Sequence, residues 1–249
     1  TSCSTSLKDW SCKFLHIPQE RIKVIYNPIL AKKWTSDSKG ISLQSANSKS
    51  FSSQGNRALS PSTINEKHIL FVGTVCDWKG CGDLAEACQI LADSGTFGDF
   101  QLDLVGKTGA FADDLQAKYG KEPWFHLIGK LPREEVMKRY AEADVVCFPS
   151  WWENMPMVCI EAMLSGAVVI GSNSGGMSEI IEDGKSGFLL SPKNPKAWAE
   201  KIKEVCALPE MHKNKLKKEA HVRIIQNFDM SVILPQIIDC YKNIIKKSK

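Results

Sequence analysis

From Ile69 to Ile170 the chain alternates two kinds of segment. Short, unbroken apolar runs (Ile69 to Val72, Leu102 to Val105, Phe125 to Ile128, Val145 to Phe148 and Ala167 to Ile170) are separated by longer stretches whose apolar residues recur every three or four positions. A run with no polar partner position has no face for water, so these segments predict strands covered on both sides, as in a parallel sheet. The longer stretches predict helices: Leu84, Cys88 and Leu91 share one face, Ala112 to Tyr119 is helical, and Val136 and Tyr140 face inward from Arg133 to Ala143. Strands alternating with covering helices give an α/β, doubly wound parallel sheet of Rossmann-like type, which binds ligands outside the carboxyl ends of its strands. Gly73, Gly106, Gly129 and Gly171 follow four of the runs directly. Strand-to-helix turns use glycine in any case, but a backbone without side chains at that rim also admits a ligand closely.

The flanks differ from this core. Residues 1 to 16 read as the end of a helix, with Leu7, Trp10, Phe14 and Leu15 spaced for one face, and Arg21 to Tyr26 alternates as a short strand that Asn27-Pro28 ends. From Thr35 to Thr63 the chain is rich in Ser, Asn, Gln and Lys, the composition of a flexible insertion. Pro195 to Leu208, Lys215 to Phe228 and Val232 to Ile245 read as helices, the last of them amphipathic.

At 249 residues with 43% hydrophobic positions the chain can bury a sizeable core, and a net charge of +4 is too small to argue for nucleic acid. Lysines cluster late, at Lys213, Lys215, Lys217 and Lys218 and again at Lys242, Lys246, Lys247 and Lys249. They read as solvated helix faces and a tail, with contact to an anionic membrane surface as the alternative. Most of the nine cysteines, among them Cys88, Cys147, Cys159, Cys206 and Cys240, lie in apolar segments, which reads as free thiols in a reducing cytoplasm. Cys76 and Cys81 lack the further ligands that a zinc site needs, so no metal is expected. No apolar run spans a bilayer and no leader is evident, so a soluble, cytoplasmic chain is expected.

The stretch from Cys147 to Ile181 carries the chemistry. A strand breaks at Pro149-Ser150 into a loop with Trp151, Trp152 and Glu153, and a helix from Pro156 to Leu164 follows, apolar on nearly every side, with Asn154 or Met155 near its N-cap. Glu161 is the one charge inside that helix, and a buried carboxylate needs a cation, hydrogen-bond donors or a ligand supplying them. A sugar diol would serve. The free amides of the first turn, such as those of Met157 and Val158, point out near Glu153 and would attract phosphate.

Two glutamates with seven residues between them, then Ala162-Met163, Gly166, the apolar run from Ala167 and Gly175-Gly176 with Glu179, together resemble the donor-binding signature of the GT-B glycosyltransferases of family GT4. The resemblance covers Ile69 to Phe228 well and the first thirty residues loosely. It implies the C-terminal half of a GT-B fold: residues 1–34 as the remnant of an N-terminal domain and hinge, 35–65 as the insertion, 66–230 as the nucleotide-sugar domain, and 231–249 as a helix crossing to the absent domain. It further implies that Glu153 contacts the sugar, that Glu161 accepts the ribose hydroxyls, and that Gly73, Thr74 and Lys79 lie on the diphosphate loop. Asn154, Met155, Pro156, Met157, Val158, Gly175 and Gly176 would then line the sugar and phosphates, and Gly129, Lys130 and Leu131 the base. Thr74 stands where the family has an arginine, so Lys107 or Lys130 would have to supply the missing charge.

The expected activity is retaining, metal-independent sugar transfer from a nucleotide diphosphate sugar, UDP-linked before others, to a glycan or lipid-linked acceptor held by the absent domain, in cell-surface polysaccharide synthesis. Lys79 and Glu153 would be its catalytic residues, no cofactor is expected, and this chain alone would bind donor and transfer little. The alternative is a non-catalytic nucleotide-sugar-binding or regulatory domain of the same fold. A nicotinamide-dependent oxidoreductase is disfavoured, because no G-x-G-x-x-G opens the first helix after a strand.

Overall fold

A computed structural model of the chain describes residues 1–32, 34 and 66–247; the insertion read at 35–65 lies outside them. After helix α1 (Thr5–Leu15) the core runs β1 (Lys67–Val72), α2 (Cys81–Asp93), β2 (Phe100–Val105), α3 (Ala110–Tyr119), β3 (Phe125–Gly129), α4 (Arg133–Glu142), β4 (Val145–Phe148), α5 (Met157–Leu164), β5 (Val169–Ser172), α6 (Met177–Ile180) and β6 (Phe188–Leu190). Helices α7 (Pro195–Cys206), α8 (Glu210–Phe228) and α9 (Met230–Lys247) complete it. The six strands form one sheet in the order β3-β2-β1-β4-β5-β6, every pair parallel. Strand order therefore reverses between β1 and β4, and sheets of this kind bind ligands outside the carboxyl ends of the strands at that point.

Alternate strand residues feed two cores. Ile69, Phe71, Val145 and Cys147 pack with Leu84, Cys88, Trp198 and Ile202 on one face. Leu70, Val72, Val146 and Phe148 pack with Tyr140, Ile160, Met163, Ile224 and Phe228 on the other. Each such Leu, Ile or Phe side chain contributes about 1.5–3 kcal/mol by leaving water, which is why the apolar runs have no polar gaps.

Several expectations change. Arg21 to Tyr26 is no strand of the sheet: Gln19–Arg21 is a single 3₁₀ turn, and the segment makes only an isolated bridge between Ser2 and Val24. The run from Ala167 becomes β5 only at Val169 and passes through Gly171, which is no turn residue; a Cβ there would lie 2.7 Å from Ile181 Cδ1 and 2.8 Å from Met177 Cγ, so glycine lets α6 pack on the strand. The edge strand β6 and the short helix α6 escape the sequence pattern. Lys213 is buried and bonded to Cys206 O at 3.2 Å, with Asp144 at 3.6 Å, and does not lie on a solvated face; Lys215 and Lys218 do. All nine cysteines are free, but Cys206 and Cys240 are only partly buried. No helix among the described residues is long and apolar enough to cross a membrane.

Candidate donor site

The loop after β1 and the loop after β4 face each other across the reversal of strand order. Lys79 ends a 3₁₀ turn, Asp77–Lys79, and its ammonium ion-pairs with Glu153 Oε1 from the opposite loop. Ser150 Oγ donates to the same oxygen at 2.9 Å. Backbone contacts lock the loops together: Trp151 N donates to Trp78 O at 2.9 Å, and Gly80, at φ +71°, leaves room for Pro149 O only 2.2 Å from where a Cβ would sit. Glu153 is thus buried and held, neither an exposed loop acid nor an orphan. Its backbone is held as well. Glu153 O accepts from Gly176 N at 2.7 Å, where the loop after β5 turns through Gly175 at φ +57°.

Asn154 is exposed, while Met155 and Pro156 are buried beneath the loop. The N-cap of α5 is Pro156, with helical backbone starting at Met157; neither Asn154 nor Met155 caps it, and Pro156 is not in its first turn. The ring fixes φ near the N-cap and brings no donor, so the first free amides are those of Met157 and Val158. Neither makes a hydrogen bond among the described residues. Turning by 100° per residue, α5 puts Met157, Val158, Glu161 and Ser165 on its partly exposed stripe. Glu161 is therefore half-buried on that stripe; it is not enclosed in the core. Among the described residues no donor reaches its carboxylate. Burial pushes its pKa up, and the Arg133 guanidinium, stacked at 4.1 Å over the Trp34 ring, pulls it partly back.

That shift has a definite sign. The folded chain holds the Glu161 proton to higher pH than the unfolded chain, so the stability linked to it is full below the unfolded pKa and is lost as pH rises through the raised folded value. Glu161→Gln is expected to unfold at a higher temperature than the parent at neutral pH, with the difference vanishing in acid; melting curves from about pH 4 to about pH 8 check this.

Other predicted positions surround this centre. Gly73 leads into exposed Thr74, and Val75 N donates to Lys107 O at 2.8 Å, so the Lys107 backbone runs beside the loop that lacks an arginine. Gly129 ends β3 at φ +78° with open space where a Cβ would be, followed by exposed Lys130 and half-buried Leu131. Trp151 is structural, its Nε1 donating to Asp83 Oδ2 at 2.7 Å and its ring covered by Lys193 at 3.6 Å; Trp152 is exposed. Ser150 was not singled out from the sequence, since a serine in a turn carries no mark of what its hydroxyl will hold. No group of three or more His, Cys, Asp or Glu among the described residues could hold a metal ion.

Residues 56–223 match the profile of the family described as glycosyl transferases group 1. The chain belongs to this family. The group 1 glycosyltransferases similar to it include an uncharacterized glycosyltransferase of Methanocaldococcus jannaschii, 29% identical over 96% of this chain and 58% of that protein. A D-inositol 3-phosphate glycosyltransferase of Paenarthrobacter aurescens is 30% identical over 55% of this chain and 35% of its own length. Solved structures share the fold: a Rickettsia africae glycosyltransferase (TM-score 0.76, 22% identity, 98% of this chain, 62% of that one) and Anabaena HepE in complex with UDP (0.75, 21%, 97%, 63%). This chain spans less than two thirds of the length of each.

Proposed function

We propose that this chain is the donor-binding half of a retaining, metal-independent group 1 glycosyltransferase of GT4 type, which takes a hexose from a nucleotide diphosphate sugar. What carries this is the pairing of Lys79 with Glu153 at the one place where strand order reverses, beside two unbonded helix amides and the half-buried Glu161. With donor bound, Lys79 and the Met157 and Val158 amides would face the diphosphate, and Glu153, released from Lys79, would accept sugar hydroxyls. Glu161 would accept the two ribose hydroxyls. Leaving-group charge would be met by fixed donors in a site with little water, a form of electrostatic preorganisation. UDP is the preferred carrier, in line with UDP in the Anabaena HepE structure. The acceptor, a glycan or a lipid-linked sugar, would be held by a further domain against which α9 packs, and transfer by this chain alone would be slight. The exposed lysines of α8 and α9, Lys215, Lys218, Lys242 and Lys246, would meet an anionic membrane surface on the cytoplasmic side.

Thermal-shift and calorimetric titrations with UDP-, GDP- and ADP-sugars test this, since a ligand of the folded state raises the melting temperature. One sugar nucleotide is expected to bind and raise it; no response to any of the three classes would refute a donor site. Binding through ionised Glu161 also predicts affinity that falls as pH drops through its raised pKa, and about five-fold weaker binding by Glu161→Gln. Lys107→Ala is expected to weaken the same ligand about three-fold in low salt and less in high salt, by isothermal titration, because an exposed lysine beside Thr74 acts through a screened charge.

A further inference from the structure

Three side chains meet at the mouth of the site, and only two of them have a role so far. Lys79 Nζ, already paired with Glu153, lies 4.4 Å from the centre of the Trp78 ring. That indole is 50% exposed although both members of the ion pair are largely buried (17% and 11% side-chain exposure). Its backbone is fixed from the opposite loop through the hydrogen bond between Trp151 N and Trp78 O, and the left-handed Gly80 that follows is seated against Pro149. The indole is therefore held on a rigid turn, with its exposed surface beside the carboxylate and ammonium. One face of the ring lies against Lys79, and half of the residue's surface stays open to solvent.

A flat apolar face next to a charged hydrogen-bonding pair suits one class of ligand: a pyranose, whose axial C–H groups form an apolar face while its hydroxyls bond outward. Building on the donor-site proposal, the geometry points to Trp78 as the stacking wall of the sugar subsite, where the transferred hexose lies against the indole while Glu153 takes its hydroxyls. Trp151 is the poorer wall: its N–H is held by Asp83 and it is less exposed, whereas Trp78 is 50% exposed.

The test compares a nucleotide with and without its sugar: UDP against UDP-glucose, GDP against GDP-mannose and ADP against ADP-glucose, using by calorimetry whichever pair the parent chain binds. Trp78→Ala is expected to weaken the sugar nucleotide about three- to ten-fold relative to the bare nucleoside diphosphate, the range of one lost aromatic stacking contact. A shift in Lys79 that loosens its hold on the diphosphate lowers both ligands alike and cancels in the ratio. Trp78→Phe, which keeps an aromatic face, is expected to restore most of the ratio. Equal losses for both ligands, or no loss for either, would overturn the stacking role while leaving the donor site intact. A parent chain that binds none of the six would refute the donor site and the stacking wall with it.

Discussion

Replacing Lys79 by alanine is expected to impair both the fold and the ligand affinity of this chain. The ammonium faces a carboxylate that is 9% exposed, and its removal leaves Glu153 with Ser150 Oγ as its remaining hydrogen-bond donor. Breaking a buried pair from one side costs about 3–5 kcal/mol where the remaining charge has no relief; with Ser150 in place and the pair at a crevice mouth, about 2–3 kcal/mol is expected. Urea unfolding of the ligand-free chain measures that loss. Donor affinity should fall by a further 1–3 kcal/mol or so, the worth of a charge-assisted hydrogen bond, seen by calorimetry under conditions where the variant is folded. The double variant Lys79→Ala with Glu153→Gln separates the two effects. It should recover much of the stability, since no buried charge is left unpaired, and none of the affinity. Recovery of affinity along with stability would mean that Lys79 serves the fold alone.

Gly175→Ala is expected to have an effect of similar size with the opposite balance. Gly175 holds φ +57°, and a Cβ there would sit 2.0 Å from Glu153 O, a backbone atom that cannot step aside as a side-chain tip would. The left-handed backbone alone costs a residue with a Cβ about 1–2 kcal/mol. The clash must then be relieved by parting the loop after β5 from the loop after β4, which breaks the 2.7 Å bond from Gly176 N to Glu153 O. A total loss of about 2–4 kcal/mol in unfolding free energy is expected. Donor binding should fall even where the variant is fully folded, because the residue displaced is Glu153 itself. Wild-type affinity in a destabilised Gly175→Ala chain would show that this loop does not position the glutamate.

How legible the molecule is from its residues varies with the kind of force involved. The parallel sheet could be read because burial on both faces demands runs such as Leu102 to Val105 without a polar break, and that demand is local. Strand β6 could not: Phe188 to Leu190 is three half-buried residues at an edge, too short for periodicity to separate from a loop. Glu153 and Lys79 stood out by their place in a motif, but their pairing did not, because it joins loops 74 residues apart and depends on the sheet bringing β1 next to β4. Glu161 reads as one charge inside a helix apolar on nearly every side, but the 100° turn per residue puts it with Met157 and Val158 on the partly exposed stripe. Lys213 misled for the converse reason, since a lysine among lysines reads as solvated until Asp144 and the Cys206 carbonyl are known to lie within its reach.

Helix α1 begins on an unexpected anchor. The amides of Thr5 and Ser6 donate to the two carboxylate oxygens of Glu179, at 2.9 and 3.1 Å, and Glu179 lies in α6, immediately after the turn that seats Glu153. Arg223 grips the same residue and its neighbour at the end of that short helix, through Glu179 O and Ile180 O. Tension applied along α1 is thus delivered through one carboxylate to the end of a four-residue helix that Arg223 also holds, just beyond the Gly175-Gly176 turn. The earliest part of the chain works as a tether knotted next to the turn that holds the Glu153 backbone, so that part of the molecule cannot be shifted without tugging on the Gly175-Gly176 turn.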